Sequence, residues 1–297
     1  QWKLSAPRYG APSGTTSVDV VFPQGGSRLP LSFGIPLGQV KSGEKIVLTD
    51  ESGGVLPASF IPLGNWVTEP SRWVFISTVL DGSANLRRRL TIAWGDTSAP
   101  STTGTMRHTV WGSQVKVDNG FYTLVLSSGG IDSLSAGGKQ YHPSFWRPSI
   151  TTAGGAVHIP HNGTMTVLYD TPIFKKIRFS EMLADSLELQ QEYDFYDGSP
   201  FVRCSVRFIN RTLADRSLDS ITPLELSCPG AERIHVGLSG RTFRNLKRFT
   251  IHQEAFRCYG VLDDLHGSLP HDRSTDVWVS LEFSGQPDLL IVLPYFR

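Results

Sequence analysis

Between Leu187 and Ile209 two apolar alternations face each other across a turn, and no other stretch limits the fold as tightly. On one side of Asp197-Gly198-Ser199-Pro200, the residues Leu189, Tyr193 and Phe195 share a strand face; on the other, Val202, Cys204, Val206 and Phe208 do. Side chains alternate with period two along a strand, so a turn at this place fixes the pairing. Phe195 falls opposite Val202, Tyr193 opposite Cys204 and Leu189 opposite Phe208, with Asp194 against Arg203 and Gln190 against Arg207. A slip of one residue turns every apolar side chain to the wrong face. Each cross-strand pair contributes ~0.2–1 kcal/mol. The pattern predicts a long antiparallel hairpin, wet on one face, with Glu188, Glu192 and Asp194 turned to solvent. A second layer must cover its apolar side.

The rest of the chain repeats that grammar in shorter pieces. Its 29 glycines and 19 prolines are spread along 297 residues rather than clustered, which implies many turns between short strands. No stretch carries a helical period over roughly 11 residues. The predicted class is all-β: an N-terminal small β-barrel followed by a larger antiparallel β-sandwich. Residues 1–15 are rich in Pro, Gly and Ser and read as an extended arm or linker, residues 16–106 as the barrel, and residues 107–297 as the sandwich. Within the barrel, Val18, Val20 and Phe22 alternate, and Gly34-Ile35-Pro36-Leu37-Gly38 reads as a turn-rich crossing. Arg72–Leu80 is apolar enough for a central strand, while Pro57 and Pro62 put Val55–Ile61 at an edge. Leu86, Leu90, Ile92 and Trp94 share a face. Arg87, Arg88 and Arg89 read as a solvated strand face, with an anion patch as the other reading. Tyr141–Gly155 reads as an aromatic, Gly/Pro-rich loop.

Composition narrows the partners. A net charge of +1 gives no general electrostatic grip on nucleic acid or an anionic membrane, and nothing approaches the ~20 consecutive apolar residues of a membrane span. The start at Gln1 suggests a processed mature form, and signal cleavage is the common cause. Asn162-Gly163-Thr164 and Asn210-Arg211-Thr212 are N-glycosylation acceptors in a host that glycosylates. These features together set the expectation of a secreted, extracellular glycoprotein. Cys204, on the apolar face of its strand, reads as a buried thiol. Cys228 and Cys258 are a disulfide candidate in an oxidising compartment. The three cysteines lack metal-ligand spacing.

Two pairs of segments carry a resemblance. LSFGIPLGQVKSGEKIVLTDESGGVLPASFIPLGNW with RWVFISTVLDGSANLRRRLTIAW resembles the N-terminal RIFT-type barrel of exo-rhamnogalacturonan lyase-like proteins. VKVDNGFYTLVLSSGGIDSLSAGGKQY with LELQQEYDFYDGSPFVRCSVRFIN is similar to the β-sandwich that follows it there. The likeness covers most of residues 17–297 and consists of turns and strand patterns. Those enzymes continue into a helical toroid that supplies the groove and the catalytic groups, so what the resemblance implies is the non-catalytic N-terminal part. It carries over no catalytic residue.

Polysaccharide β-elimination needs a base near the uronate C5 and a cation on the carboxylate. Tyr141, His142, Trp146 and Arg147 offer one place for a sugar, with stacking on Trp146 and a uronate on Arg147; the other reading is a loop that tucks its aromatics into a secondary core. His158 and His161 flank an Ile-Pro pair too short for a helical two-histidine metal site. Asp263-Asp264 with His266, and His271-Asp272, are weak cation candidates. No nucleophile elbow, P-loop or dinucleotide fingerprint occurs, and no catalytic residue, metal or cofactor is expected. Two functions follow as expectations. One is a non-catalytic extracellular protein that binds polysaccharide or glycan, or assembles with copies of itself through its arm and sheet edges into a fibre or surface layer. The other is a polysaccharide lyase or its N-terminal portion.

Overall fold

A computed structural model describes residues 13–22, 25–37, 45–65, 72–95, 103–141, 147–184, 187–212, 218–222, 225, 231–238, 241–246, 249–254, 257–262, 267–268, 276–283 and 289–294. The described residues form strands and turns, and the fold is all-β. Contacts divide the chain into two units, residues 1–134 with 145–226, and residues 135–144 with 227–297.

The first unit opens with β1 (Gly14–Val21), β2 (Gly26–Leu37), β3 (Ile46–Thr49), β4 (Ala58–Asn65), β5 (Arg72–Gly82) and β6 (Arg87–Trp94). They make two three-stranded antiparallel sheets, β1-β6-β3 and β2-β5-β4. Val18, Val20, Leu48, Leu90, Ile92 and Trp94 of the first sheet and Ile35, Leu37, Val74, Ile76 and Leu80 of the second bury one shared core. Among the described residues these sheets do not close into the expected barrel. Proline placement explains the order. The central strand β5 carries none, whereas the edges β2 and β4 hold Pro30, Pro36 and Pro62, where a missing N–H costs no ladder bond. Gly34–Leu37, which resembles a crossing in sequence, is therefore edge strand paired with Arg72–Phe75. Arg88 is half-buried, while Arg87 and Arg89 both reach Asp19, at 2.5 and 3.0 Å. The arginine run is thus partly an ion-pair face.

Next come β7 (Arg107–Trp111), β8 (Gln114–Asp118), β9 (Tyr122–Ser127) and β10 (Gly130–Ala136), the last running on into the second unit. Their sheet order is β10-β9-β8-β7. After β11 (Lys139–Tyr141) the first unit resumes with β12 (Ser149–Thr152), β13 (Val157–His158), β14 (Thr164–Asp170), β15 (Phe174–Ala184), β16 (Leu187–Tyr196), β17 (Val202–Asn210) and β18 (Leu218–Thr222). Strands β14 to β17 form one sheet in chain order, and β13-β12-β18 a small one. The loop read at Tyr141–Gly155 thus contains β12, whose Ile150 is fully buried.

The hairpin β16–β17 has the register read from its sequence, from Phe195↔Val202 to Leu189↔Phe208. Its solvation differs. Beyond Leu187, every β16 residue except Glu188 is buried, because β15 and β17 flank it and lay cations over its acids. Glu192, 5 % exposed, takes Lys176, Arg178 and Arg207, and Glu188 takes Arg211. Burial pushes the Glu192 carboxyl up, but the Arg178 hydrogen bond and the surrounding cations outweigh it, holding the group below the usual carboxylate range. Asp194 differs. Burial dominates there and its carboxyl is raised, although the Lys176 ammonium, 3.2 Å from Oδ1, pulls the other way. Cys204 is a free, half-buried thiol opposite Tyr193, and burial pushes its pKa up.

The other face of β16 carries Leu189, Gln191, Tyr193 and Phe195, all buried. Gln191 Nε2 donates to the Ser128 carbonyl at 2.5 Å. Buried Asn119 satisfies all its valences: Nδ2 donates to the Tyr196 and Ser199 carbonyls at 3.0 and 2.7 Å, and Oδ1 accepts from the Phe121 and Tyr122 amides. The hairpin tip is stitched further. Arg28 Nε and Nη2 donate to the carbonyls of Gly198 and Asp197 at 3.0 and 2.8 Å. Asp197 Oδ1 accepts from Thr105 N, Thr105 Oγ1 and Met106 N. Phe174 and Tyr196 pack with Ile61, Leu63, Phe75 and Val79 of β4 and β5. These contacts put residues on both sides of residue 106 into one unit.

The second unit, with β11, holds β19 (Arg233–Leu238), β20 (Arg241–Leu246), β21 (Phe249–Glu254), β22 (Arg257–Leu262), β23 (Gly267–Ser268), β24 (Asp276–Glu282) and β25 (Leu289–Pro294). They form the sheets β20-β19-β24-β25 and β21-β22-β23. No described helix is long and apolar enough to cross a membrane.

Candidate functional site

The two-residue turn Gly112-Ser113 builds one end of the site. Gly112 sits at φ +59°, where glycine is unstrained, and the turn brings Trp111 opposite Gln114. Val115 and Leu126 pair and are both fully buried. One step further, Gln114 and Ser127 must therefore point away from the core. Trp111 Nε1 donates to Gln114 Oε1 at 2.8 Å, and Gln114 Nε2 donates to Asp132 Oδ2 at 2.9 Å. Ser127 Oγ donates to Asp132 Oδ1 at 3.0 Å. Trp111, Gln114, Ser127 and Asp132 thus stand in a row across four strands on the outer face of the sheet.

Loops wall the row into a groove of about 660 Å³, with Arg147 and the segment Ile159-Pro160-His161 completing its lining. That volume lies in the ~300–1,000 Å³ range of small-ligand sites. Trp111 is 42 % exposed, although its indole N–H is occupied. Arg147 is exposed and fixed through its backbone, which exchanges hydrogen bonds with Glu225 at 3.0 and 3.2 Å. The Glu181 carboxylate accepts from the His161 and Asn162 amides at 2.9 and 3.0 Å. His161 Nδ1 lies 3.1 Å from the Ile159 carbonyl, so in the Nδ1–H tautomer Nε2 is left as an acceptor. The groove combines an aromatic platform, fixed amide and carboxylate groups and an exposed cation, which is the chemistry of hydroxyl-rich ligands.

A second recess is lined by Asp19, Asp50, Glu51, Arg87, Arg89 and Thr91. Hydrogen bonds from Arg89 and Arg87 hold Asp19 below the usual carboxylate range, and Ser52 and Gly54 do the same for Asp50. Its acids are engaged within the fold. No cluster of three or more metal-ligating side chains occurs among the described residues.

Of the residues singled out in sequence, Arg147 and His161 line the groove, and half-buried His158 stands on β13 opposite Ile150. Tyr141 is buried in the second unit, edge-on to Phe283 with ring centroids 5.2 Å apart. His142 and Trp146 lie outside the described residues, as do Cys228, Asp263, Asp264, His266, His271 and Asp272; Cys258 is placed on β22 by backbone alone. Asn162 and Asn210 are both exposed, and Asn210 Oδ1 accepts from Thr212 N and Oγ1, at 3.0 Å each. The arm reading of residues 1–15 falls outside the described residues up to residue 12, and β1 begins at Gly14. Sequence reasoning passed over Trp111, Gln114 and Asp132. A usable signal was present in Trp-Gly-Ser-Gln, where a tight turn pairs an aromatic with an amide.

No protein-family model matches this chain, and none of the curated proteins matches it.

Proposed function

We propose that this chain is a non-catalytic extracellular β-protein that binds glycan in the groove between Trp111 and Arg147. One observation carries the reading: the row Trp111–Gln114–Asp132–Ser127 is tied together by hydrogen bonds on an outer sheet face while Trp111 stays exposed. Such a row prepays side-chain ordering, which a flexible surface would charge against affinity. Both oxygens of Asp132 already accept hydrogen bonds, so it serves as a fixed acceptor for sugar hydroxyls rather than as a free base. The resemblance to the front part of exo-rhamnogalacturonan lyase-like proteins and the exposed sequon asparagines support the extracellular, glycan-associated setting. Affinity electrophoresis in gels cast with pectic, xylan and β-glucan polysaccharides tests it. Retardation should appear in at least one gel and vanish in Trp111→Ala. Migration unchanged by every polysaccharide sinks the proposal.

His161 favours a second reading, a polysaccharide lyase. Its Nε2 is available as a base in the same groove as Arg147, the cation a uronate would meet. Absorbance of unsaturated products decides between them: turnover lost in both His161→Ala and Arg147→Ala establishes the enzyme.

A further inference from the structure

Strand β7 ends its sheet: β8 lies on one side and no described strand on the other. The two-residue turn at Gly112-Ser113 makes Trp111 and Gln114 a hydrogen-bonded pair, and such pairs alternate along an antiparallel ladder. Arg107, Thr109 and Trp111 therefore aim their backbone groups at β8, while the N–H and C=O of His108 and Val110 aim at the free edge. Side chains there are uncovered too, with Val110 45 % and Trp111 42 % exposed. Other edges of the first unit carry devices that discourage a second strand. Strands β2 and β4 hold prolines, β14 has a bulge between Val167 and Tyr169, and β17 presents exposed Arg203 and Arg207. Strand β7 pairs with β8 without a bulge and contains no proline.

We propose that this edge pairs with the same edge of a second copy, antiparallel about a two-fold axis at Thr109. The free backbone groups dictate the register. His108 of one copy faces Val110 of the other, because only these residues turn N–H and C=O outward, and this choice overlaps the whole strand. It sets Arg107 opposite Trp111 of the second copy on the outer face, where a guanidinium and an indole attract each other. Thr109 meets itself, and no like charges are opposed. Pairing also takes the exposed Val110 out of water. Gln114, Ser127 and Asp132 stand on strands farther from the edge and keep their places. The proposal is independent of glycan binding. Five residues on each side bury less than the ~1,200 Å² of a standard interface, so the dimer is weak. It is also closed, since a two-fold contact uses up the edge.

Sedimentation equilibrium on the full chain, from micromolar to near-millimolar concentration, tests this. Dimers should appear with half-association near ~100 μM, and no larger species should follow. Val110→Pro deletes an outward N–H and no ladder bond to β8, so it should hold the chain monomeric with the circular-dichroism spectrum of the parent. Thr109→Glu brings two carboxylates together on the axis while facing Lys116 within its own chain. It should weaken the dimer by about tenfold or more, and high salt should restore part of the loss. Should Val110→Pro fail to fold, Thr109→Glu decides alone. Monomers at every concentration overturn the proposal and leave the edge to a foreign extended segment. A dimer that either folded variant keeps at parental strength overturns it as well, because the contact then lies elsewhere.

Discussion

Two polar rows lie in the first unit, and they have opposite economies. On the β15–β17 face, the acids of β16 are sunk beneath cations: Glu192 is nearly inaccessible and meets three basic side chains. On the β7–β10 face, Trp111, Gln114, Ser127 and Asp132 also bond one another, yet the row stays open along its outer side. The first row has spent its valences on the fold, and the second retains an exposed indole and an exposed guanidinium. Charge density alone therefore points to the wrong row. What separates structural from ligand-directed polarity here is cover: the acids of β16 lie beneath their cations, whereas Trp111 and Asp132 stay exposed with their partners in place.

The largest expected effect breaks the first row. Glu192→Gln leaves Lys176, Arg178 and Arg207 over a neutral amide and should cost about 3 kcal/mol in urea unfolding, the scale for removing one member of a buried ion pair. Asn119→Ala strips four hydrogen bonds at a fully buried position and should cost about 2 kcal/mol in the same measurement. Its open-row counterpart Gln114→Ala should move stability by no more than ~0.5 kcal/mol while weakening any glycan binding. If Gln114→Ala unfolds the protein as readily as Asn119→Ala does, the distinction between the rows is wrong.

Acidity provides a finer test, because the two buried acids shift in opposite directions. Asp194 is raised, so the folded state takes up its proton before the unfolded chain does. As pH falls from neutrality toward the ordinary carboxylate range, this group alone adds stability. Glu192 is lowered, and its contribution is full above its unfolded value and lost as pH falls through the lower folded one. A chemical-denaturation series against pH should show Asp194→Asn more stable than the parent at neutral pH, with the advantage shrinking as pH drops. A constant advantage at every pH would remove Asp194 as the cause. The smallest effect belongs to Arg203→Ala: Arg203 is exposed opposite Asp194, and its loss should shift the melting temperature by about a degree or less.

What could be read from the sequence was whatever lies within one strand or one turn. The β16–β17 register follows from alternation about Asp197–Pro200, and the central place of β5 follows from an apolar run without proline. The burial of Glu192 could not be read that way, because its cover comes from Lys176, Arg178 and Arg207 on two neighbouring strands. Gly34–Leu37 looked like a turn because glycine and proline usually mark one; at a sheet edge neither prevents pairing. The groove row was hidden for a related reason. Its members lie on four successive strands, so no period along the chain connects them, and only the stacking of β7 to β10 lines them up.

The stitched tip at Asp197–Ser199 has a consequence for synthesis. Arg28 waits for acceptors about 170 positions downstream, and Thr105 and Met106 wait for a carboxylate about 90 positions downstream. A chain emerging from the ribosome exposes its first two sheets long before their clasp exists, and closure across such spans is slow. Nascent lengths that end before residue 197 should stay open to proteases, and holding that interval safe is work for a chaperone.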